Sequence, residues 1–191
     1  MLPLMVDVKD RNVIIVGGGK IAYRKLMVFL RQGAKVKVIS PTLIDEMKGL
    51  YEKNQFEWAE KAVSRDDLHD AFIIVAATDN KDVNSWIRSH ANHNQLVNVV
   101  DDAELGNIQI PSFQQKGKLT VSVSTDGASP ILAKEICYHF FNQLDESFLS
   151  ELEELSKTRQ EIKTSSLSLE EKKTVLKKLA QEAQKKIFLT Q

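Results

Sequence analysis

Asn12-Val13-Ile14-Ile15-Val16 runs straight into Gly17-Gly18-Gly19 and then into Lys20-Ile21-Ala22. The first five residues are a short apolar run rich in β-branched side chains, the pattern of a strand covered on both faces in a parallel sheet. From Lys20 to Gln32 the apolar residues Ile21, Leu26, Phe29 and Leu30 recur at helical spacing, and Gly33 offers a C-terminal stop. Gly17, Gly19 and Ala22 therefore match the strand-turn-helix fingerprint of a dinucleotide fold: one residue for the tight turn, one for close approach of a pyrophosphate, one for helix packing. Placement supplies the specificity, because such glycines away from a strand-helix junction mark an ordinary turn. A helix starting at Lys20-Ile21 presents unpaired amides to an anion.

Downstream, Val36-Lys37-Val38-Ile39 reads as the next strand, Leu43 to Tyr51 as a helix, Phe56-Glu57-Trp58 as a short strand and Phe72 to Ala77 as a buried one. Asp79 or Asn80 can cap a helix running to about Asn92, and Leu96-Val97-Asn98-Val99-Val100 closes the series. Strands and helices alternating in this way imply right-handed parallel crossovers, so the expected fold class is α/β with a Rossmann-type doubly wound parallel sheet.

After Asp101 the rhythm changes. Ile108-Gln109-Ile110 and Leu119-Thr120-Val121-Ser122-Val123 alternate apolar with polar residues and are joined by Lys116-Gly117-Lys118, which predicts an antiparallel pair. Pro130 opens a helix through Phe141, and the remainder from Glu146 is helical and charged, interrupted at Ser165-Ser166-Leu167-Ser168. Ser168 and Glu171 have capping-box spacing, and the helix they start carries Val175, Leu176, Leu179, Ala183 and Ile187 on one stripe. The expected organisation is a nucleotide-binding domain over 1–112, a small α+β segment over 113–145 and a C-terminal helical domain over 146–191.

Across the 191 residues, 26 basic and 26 acidic side chains cancel, so no global field draws the protein to nucleic acid or to an anionic membrane, and any anion site is local. The single cysteine, Cys137, makes neither an internal disulfide nor a zinc framework, which fits a reducing cytoplasm. Met1 to Val6 is too short for a signal sequence and meets Asp7 at once; no later apolar stretch approaches membrane-spanning length. The chain is expected to be neither exported nor inserted.

The second half of the dinucleotide fingerprint departs from the usual pattern. About twenty residues after the glycines, where an acidic side chain ordinarily binds the adenine ribose, stand Ser40-Pro41-Thr42. Their hydroxyls and backbone can bond a ribose, or Ser-Pro can simply end the strand, and nothing here repels a 2′-phosphate. Local chemistry thus leaves NAD and NADP both open. Ala77 and Thr78 end the fourth strand, where small residues leave room for a nicotinamide ribose or merely pack well.

Val16-Gly17-Gly18-Gly19-Lys20-Ile21-Ala22-Tyr23-Arg24-Lys25, Ala76-Ala77-Thr78-Asp79, Asn98-Val99-Val100-Asp101 and Ser122 to Pro130, taken in this order and spacing, resemble the precorrin-2 dehydrogenase / sirohydrochlorin ferrochelatase family of siroheme synthesis. That family also supplies the N-terminal module of siroheme synthase. The resemblance covers roughly residues 1 to 145. It implies oxidation of precorrin-2 to sirohydrochlorin with NAD as hydride acceptor, in a homodimer joined through the middle segment. No methyltransferase domain follows, which implies the form without that third activity. Carried over by residue, it puts Lys20, Ile21, Pro41 and Thr42 against the cofactor and makes Asp101 the candidate catalytic carboxylate. Asp101 also stands just past a strand's carboxyl end, where ligands meet a doubly wound sheet, and a dehydrogenation that loses a hydride must also lose a proton to some base. Asp102 is the rival acid, and either can cap a turn instead.

Ser124 to Pro130 is a small-residue loop entering a helix, and its free amides can cradle substrate carboxylates; Ser124, Gly127 and Lys134 are the candidate substrate contacts, with Arg24, Lys25, Lys116 and Lys118 as further cations. Ser129 serves equally as a helix N-cap. His69, His90, His93 and His139 form no metal motif, although His90 and His93 would share a helix face, and no metal ligand is assigned. Two alternatives stand beside the dehydrogenase: an enzyme that also inserts ferrous ion into sirohydrochlorin, and a dinucleotide-binding sensor without catalysis, which would not need Asp101. A generic short-chain oxidoreductase lacks its Tyr-x-x-x-Lys after the sheet.

Overall fold

The predicted strand Asn12–Val16 is β1, at the centre of a five-stranded parallel sheet in the computed structural model, which describes residues 1–144 and 146–188. It is followed by α1 (Lys20–Arg31), β2 (Lys35–Ile39), α2 (Asp45–Tyr51), β3 (Glu57–Ala59), a single 3-10 turn at Asp66–Leu68, β4 (Ile73–Ala76), α3 (Lys81–His90) and β5 (Leu96–Val99). The strand order is β3-β2-β1-β4-β5. The chain thus winds outward from β1 in one direction, then returns to β1's other side, which places the topological switch point between β1 and β4. Register sets Ala59, Ile39, Val16, Ala76 and Val99 in one row across the carboxyl edge.

Both sheet faces are covered, which is why the strands are apolar at successive positions. Val13, Ile15, Val36, Val38, Ile73 and Val75 meet Ala22, Leu26 and Phe29 of α1 and Met47 of α2 on one face. Ile14, Val16, Ile74, Ala76, Val97 and Val99 meet Ile87 of α3 and Leu68 on the other. α1 ends as predicted, with Gly33 in the left-handed region at φ 74°. Asn80, rather than Asp79, caps α3, its side chain accepting from the amides of Asp82 and Val83. α3 stops at His90, so His93 lies beyond the helix and shares no helix face with His90.

The structure forms two compact units, Met1–Ile110 and Pro111–Gln191. In the second, β6 (Ser112–Lys116) and β7 (Leu119–Val123) pair antiparallel. The hairpin turns where expected, at Gly117 with φ 55°, but Ile108-Gln109-Ile110 is not its first strand. The Asn107 side chain draws that segment back along β5, accepting from the Val97 amide at 2.6 Å and donating to the Gln95 carbonyl at 2.8 Å. Ile108 and Ile110 pack against the first unit's core. The strand's partner is instead the polar run that starts at Ser112, because partial burial of two isoleucines beside β5 outweighs local alternation.

α4 (Pro130–Asn142) buries Ala133 and Cys137 and packs on the hairpin; it is capped by Ser129, whose hydroxyl accepts from the Leu132 amide at 3.1 Å. α5 (Glu146–Thr164) and α6 (Leu169–Phe188) follow. The capping box forms: the Glu171 amide donates to the Ser168 hydroxyl oxygen, and bonds from the Ser168 hydroxyl, then from its amide, hold the Glu171 carboxyl below its ordinary range. On the predicted stripe Leu176, Leu179 and Ala183 are half-buried and Val175 is exposed, while the side chain of Ile187 lies outside the described residues.

Candidate functional site

Three glycines turn β1 into α1, and each does so for a different reason. Gly17 has φ 125°, and a Cβ there would lie 2.3 Å from the Ala77 carbonyl oxygen. The backbone following β1 therefore touches the backbone following β4 across the switch point. A Cβ on Gly18 would lie 1.9 Å from the Thr42 carbonyl oxygen. Gly18 was not singled out in the fingerprint, since only contact with a loop distant in sequence gives it a role. At Gly19 a Cβ would meet nothing within 4 Å, so this position faces open space in front of the α1 amides. Ala22 is fully buried beneath them.

The open space is a cleft of about 920 Å³ along the carboxyl edge of the sheet. That is ample for a small-molecule ligand. Gly17, Gly19, Lys20, Ile21, Ser40, Pro41, Thr42, Ala77 and Thr78 all line it, so the structure brings every proposed cofactor residue to one cleft. Lys61, Val63, Val83 and Trp86 also line it and had no sequence signal of their own, because they reach the cleft only through the packing of β3 and α3. The glycine turn, the free amides at the α1 N-terminus and the apolar side chains among the lining residues suit a dinucleotide, which carries a charged pyrophosphate between two flat rings.

Asp101 does not line the cleft. It is joined to it through Asn84 of α3, a fully buried side chain that no sequence pattern marked. The Asn84 amide nitrogen donates to the Thr78 carbonyl at 3.1 Å and to Asp101 Oδ1 at 2.9 Å. Its oxygen accepts from the Thr78 amide at 3.2 Å and the Thr78 hydroxyl at 2.8 Å. One amide thus ties the end of β4 to the end of β5 and orients the carboxylate. The other oxygen of Asp101 has no protein partner among the described residues. Asp102 is occupied differently, its Oδ1 accepting from the amides of Glu104 and Leu105, which is a turn cap. Replacing Asn84 with alanine would remove a partner from four polar groups, three of them on Thr78; we expect a loss of about 1–3 kcal/mol in chemical denaturation.

The proposed substrate residues lie in the second unit, where Ser124 and Gly127 share the loop before α4 and Lys134 stands exposed on the helix. Gly127 has φ 85°, and the Ser124 hydroxyl accepts from the Asp126 amide. Of the other candidate cations, Lys116 is paired with Glu146 and so is not free for a substrate. Burial, followed by the neighbouring Arg24, pushes the Lys25 ammonium below its ordinary value. His69, His90 and His139 are engaged locally with Asp70, the Trp86 carbonyl and Gln143.

Residues 4–112 match the family described as "Putative NAD(P)-binding". The precorrin-2 dehydrogenase of Bacillus subtilis is 40% identical over 159 residues, covering 83% of this chain and 98% of that protein. The precorrin-2 dehydrogenase of Priestia megaterium is 40% identical over 148 residues, covering 78% and 73%. Among solved structures, "SirC, precorrin-2 dehydrogenase" superposes with a TM-score of 0.79 at 34% identity and covers 98% of both chains.

Proposed function

Since the chain belongs to the precorrin-2 dehydrogenase family, we propose that it oxidises precorrin-2 to sirohydrochlorin with NAD, the cofactor lying along the carboxyl edge of the sheet. The observation that carries this reading is the pairing of a glycine-turn cleft with a carboxylate tied to it through Asn84 and the lining residue Thr78. NAD, when bound, supplies the hydride acceptor. The residues of the chain do the rest. The α1 amides at Lys20 and Ile21 receive the pyrophosphate, Ser40 to Thr42 the adenine ribose, and Ala77 with Thr78 the nicotinamide ribose. Asp101 accepts the proton that leaves precorrin-2 with the hydride, so the substrate loses two electrons and two hydrogens in all. Ser124, Gly127 and Lys134 are the proposed contacts for its carboxylates.

Both relatives are named for the oxidation, which favours it over added metal insertion or a sensor without catalysis. Absorbance of precorrin-2 supplied with NAD, with NADP, and then with ferrous ion tests this directly. Sirohydrochlorin should form with NAD and persist when iron is added. Absence of oxidation with either nucleotide would overturn the proposal.

The proposal extends to a homodimer joined through residues 113–145, with 146–191 as a separate helical part. Its support is α4, where Ile131, Leu132, Ile136, Tyr138 and Phe140 are 43–77% exposed on one helix, an apolar surface that a lone subunit would leave in water. Light scattering should give twice the chain mass for the wild type, and Ile136→Glu with Phe140→Glu should halve it. A wild-type monomer at micromolar concentration would contradict this. We also place the enzyme in the cytoplasm, a reducing compartment in which the free, buried thiol of Cys137 is at home; no described helix is long and apolar enough to cross a membrane.

A further inference from the structure

Lys61 follows β3 closely, and its amide bonds the Ala59 carbonyl at 2.9 Å, the same carbonyl that accepts the Ser40 amide at 3.2 Å. It therefore enters the cleft beside Ser40, Pro41 and Thr42, the segment at which dinucleotide folds read the adenine ribose. No acid stands in that segment to exclude a 2′-phosphate. The cations lining the cleft are Lys20, at the helix terminus, and Lys61. A free lysine at the ribose end would attract the 2′-phosphate that distinguishes NADP from NAD.

Lys61 is not free. Its Nζ lies 2.7 Å from Oδ1 of Asp67, whose side chain is only 7% exposed although that of Lys61 is 48% exposed. Asp67 Oδ2 also accepts from the Ser64 amide at 2.8 Å and the Ser64 hydroxyl at 2.6 Å. Burial alone would raise this carboxyl, but the bonds from Lys61 and Ser64 outweigh it and hold the group below its ordinary value. The acid is thus charged at neutral pH and locked on the 3-10 turn, so it fixes the lysine and not the reverse.

We propose that Asp67 determines the cofactor preference: by neutralising and tethering Lys61 it denies a 2′-phosphate its cation, so that NAD is used over NADP. This rests on the nucleotide occupying the cleft as described above. The experiment compares the ratio of kcat/KM for NADP to that for NAD in four proteins: wild type, Asp67→Asn, Lys61→Met and the double variant. Asp67→Asn frees the lysine and should raise the ratio about tenfold or more. Lys61→Met leaves an uncompensated acid and should lower it about threefold or more. The double variant should return close to wild type. Should Asp67→Asn fail to fold, Lys61→Met decides alone, since that side chain is half in solvent. An unmoved ratio in the folded single variants, or a double variant that keeps the Asp67→Asn gain, overturns the role of Asp67 while leaving NAD turnover intact. A wild-type protein that uses neither nucleotide would instead bring down the reading of the cleft itself.

Discussion

Replacing Asp101 with asparagine is expected to lower kcat for precorrin-2 oxidation by about 10²–10⁴-fold, the usual contribution of a positioned general base. NAD binding should be unchanged, because Asp101 does not line the cofactor cleft. Asparagine is the informative substitution. Its side-chain oxygen can still accept from Asn84, so the β4–β5 connection survives and only the capacity to take a proton is removed. The control is Asp102→Ala, which deletes the cap over Glu104 and Leu105. It should cost about 1 kcal/mol in stability and leave turnover near the wild-type rate. Steady-state kinetics beside nucleotide titration separates the two acids. An Asp101→Asn enzyme with wild-type kcat would remove this residue from the chemistry, and a dead Asp102→Ala enzyme would transfer the role to its neighbour.

The glycine turn should give the second large effect, with a different outcome at each position. Gly17→Ala places a Cβ against the Ala77 backbone at a φ of 125°, which L residues rarely adopt. Neither contact can be relieved by rotating a side chain. The combined strain and overlap amount to about 2–5 kcal/mol, a large part of the roughly 5–15 kcal/mol that holds a domain folded. Gly17→Ala should therefore express poorly or melt well below the wild type. Gly18→Ala drives the Thr42 carbonyl away and should distort the ribose end of the cleft as well. Gly19→Ala is the contrast: its φ of −94° suits any residue and no protein atom is near, so the melting temperature should hold. Its methyl group would stand where the pyrophosphate approaches, and NAD affinity should fall by about tenfold or more. If Gly19→Ala binds NAD normally, the pyrophosphate does not lie over this turn.

Much of this was legible because the signals are local. A β-branched run, a glycine turn and an amphipathic helix in succession can be read from adjacent residues, and the same rhythm repeated through Val99 implies the parallel sheet. The capping box at Ser168 and the stop at Gly33 are short-range features of the same kind. Ile108-Gln109-Ile110 misled because its alternation suits a strand equally well with two partners, and the choice fell to Asn107 and the core beside β5. In sequence only the family resemblance set Asp101 ahead of Asp102, since either acid can cap a turn. The fold gives them different surroundings, one carboxylate bound by Asn84 and the other by a turn.

From the chain alone follow the class of fold, the place of the cofactor turn and a short group of candidate acids, since each depends on periodicity or on backbone freedom within a few residues. Tertiary structure decided why Gly18 admits no side chain, which acid Asn84 holds, and that Lys61 is tethered to Asp67. These depend on contacts between segments far apart in sequence. No spacing rule encodes such a contact, because the distance between two loops is set by the packing of the whole sheet between its helices.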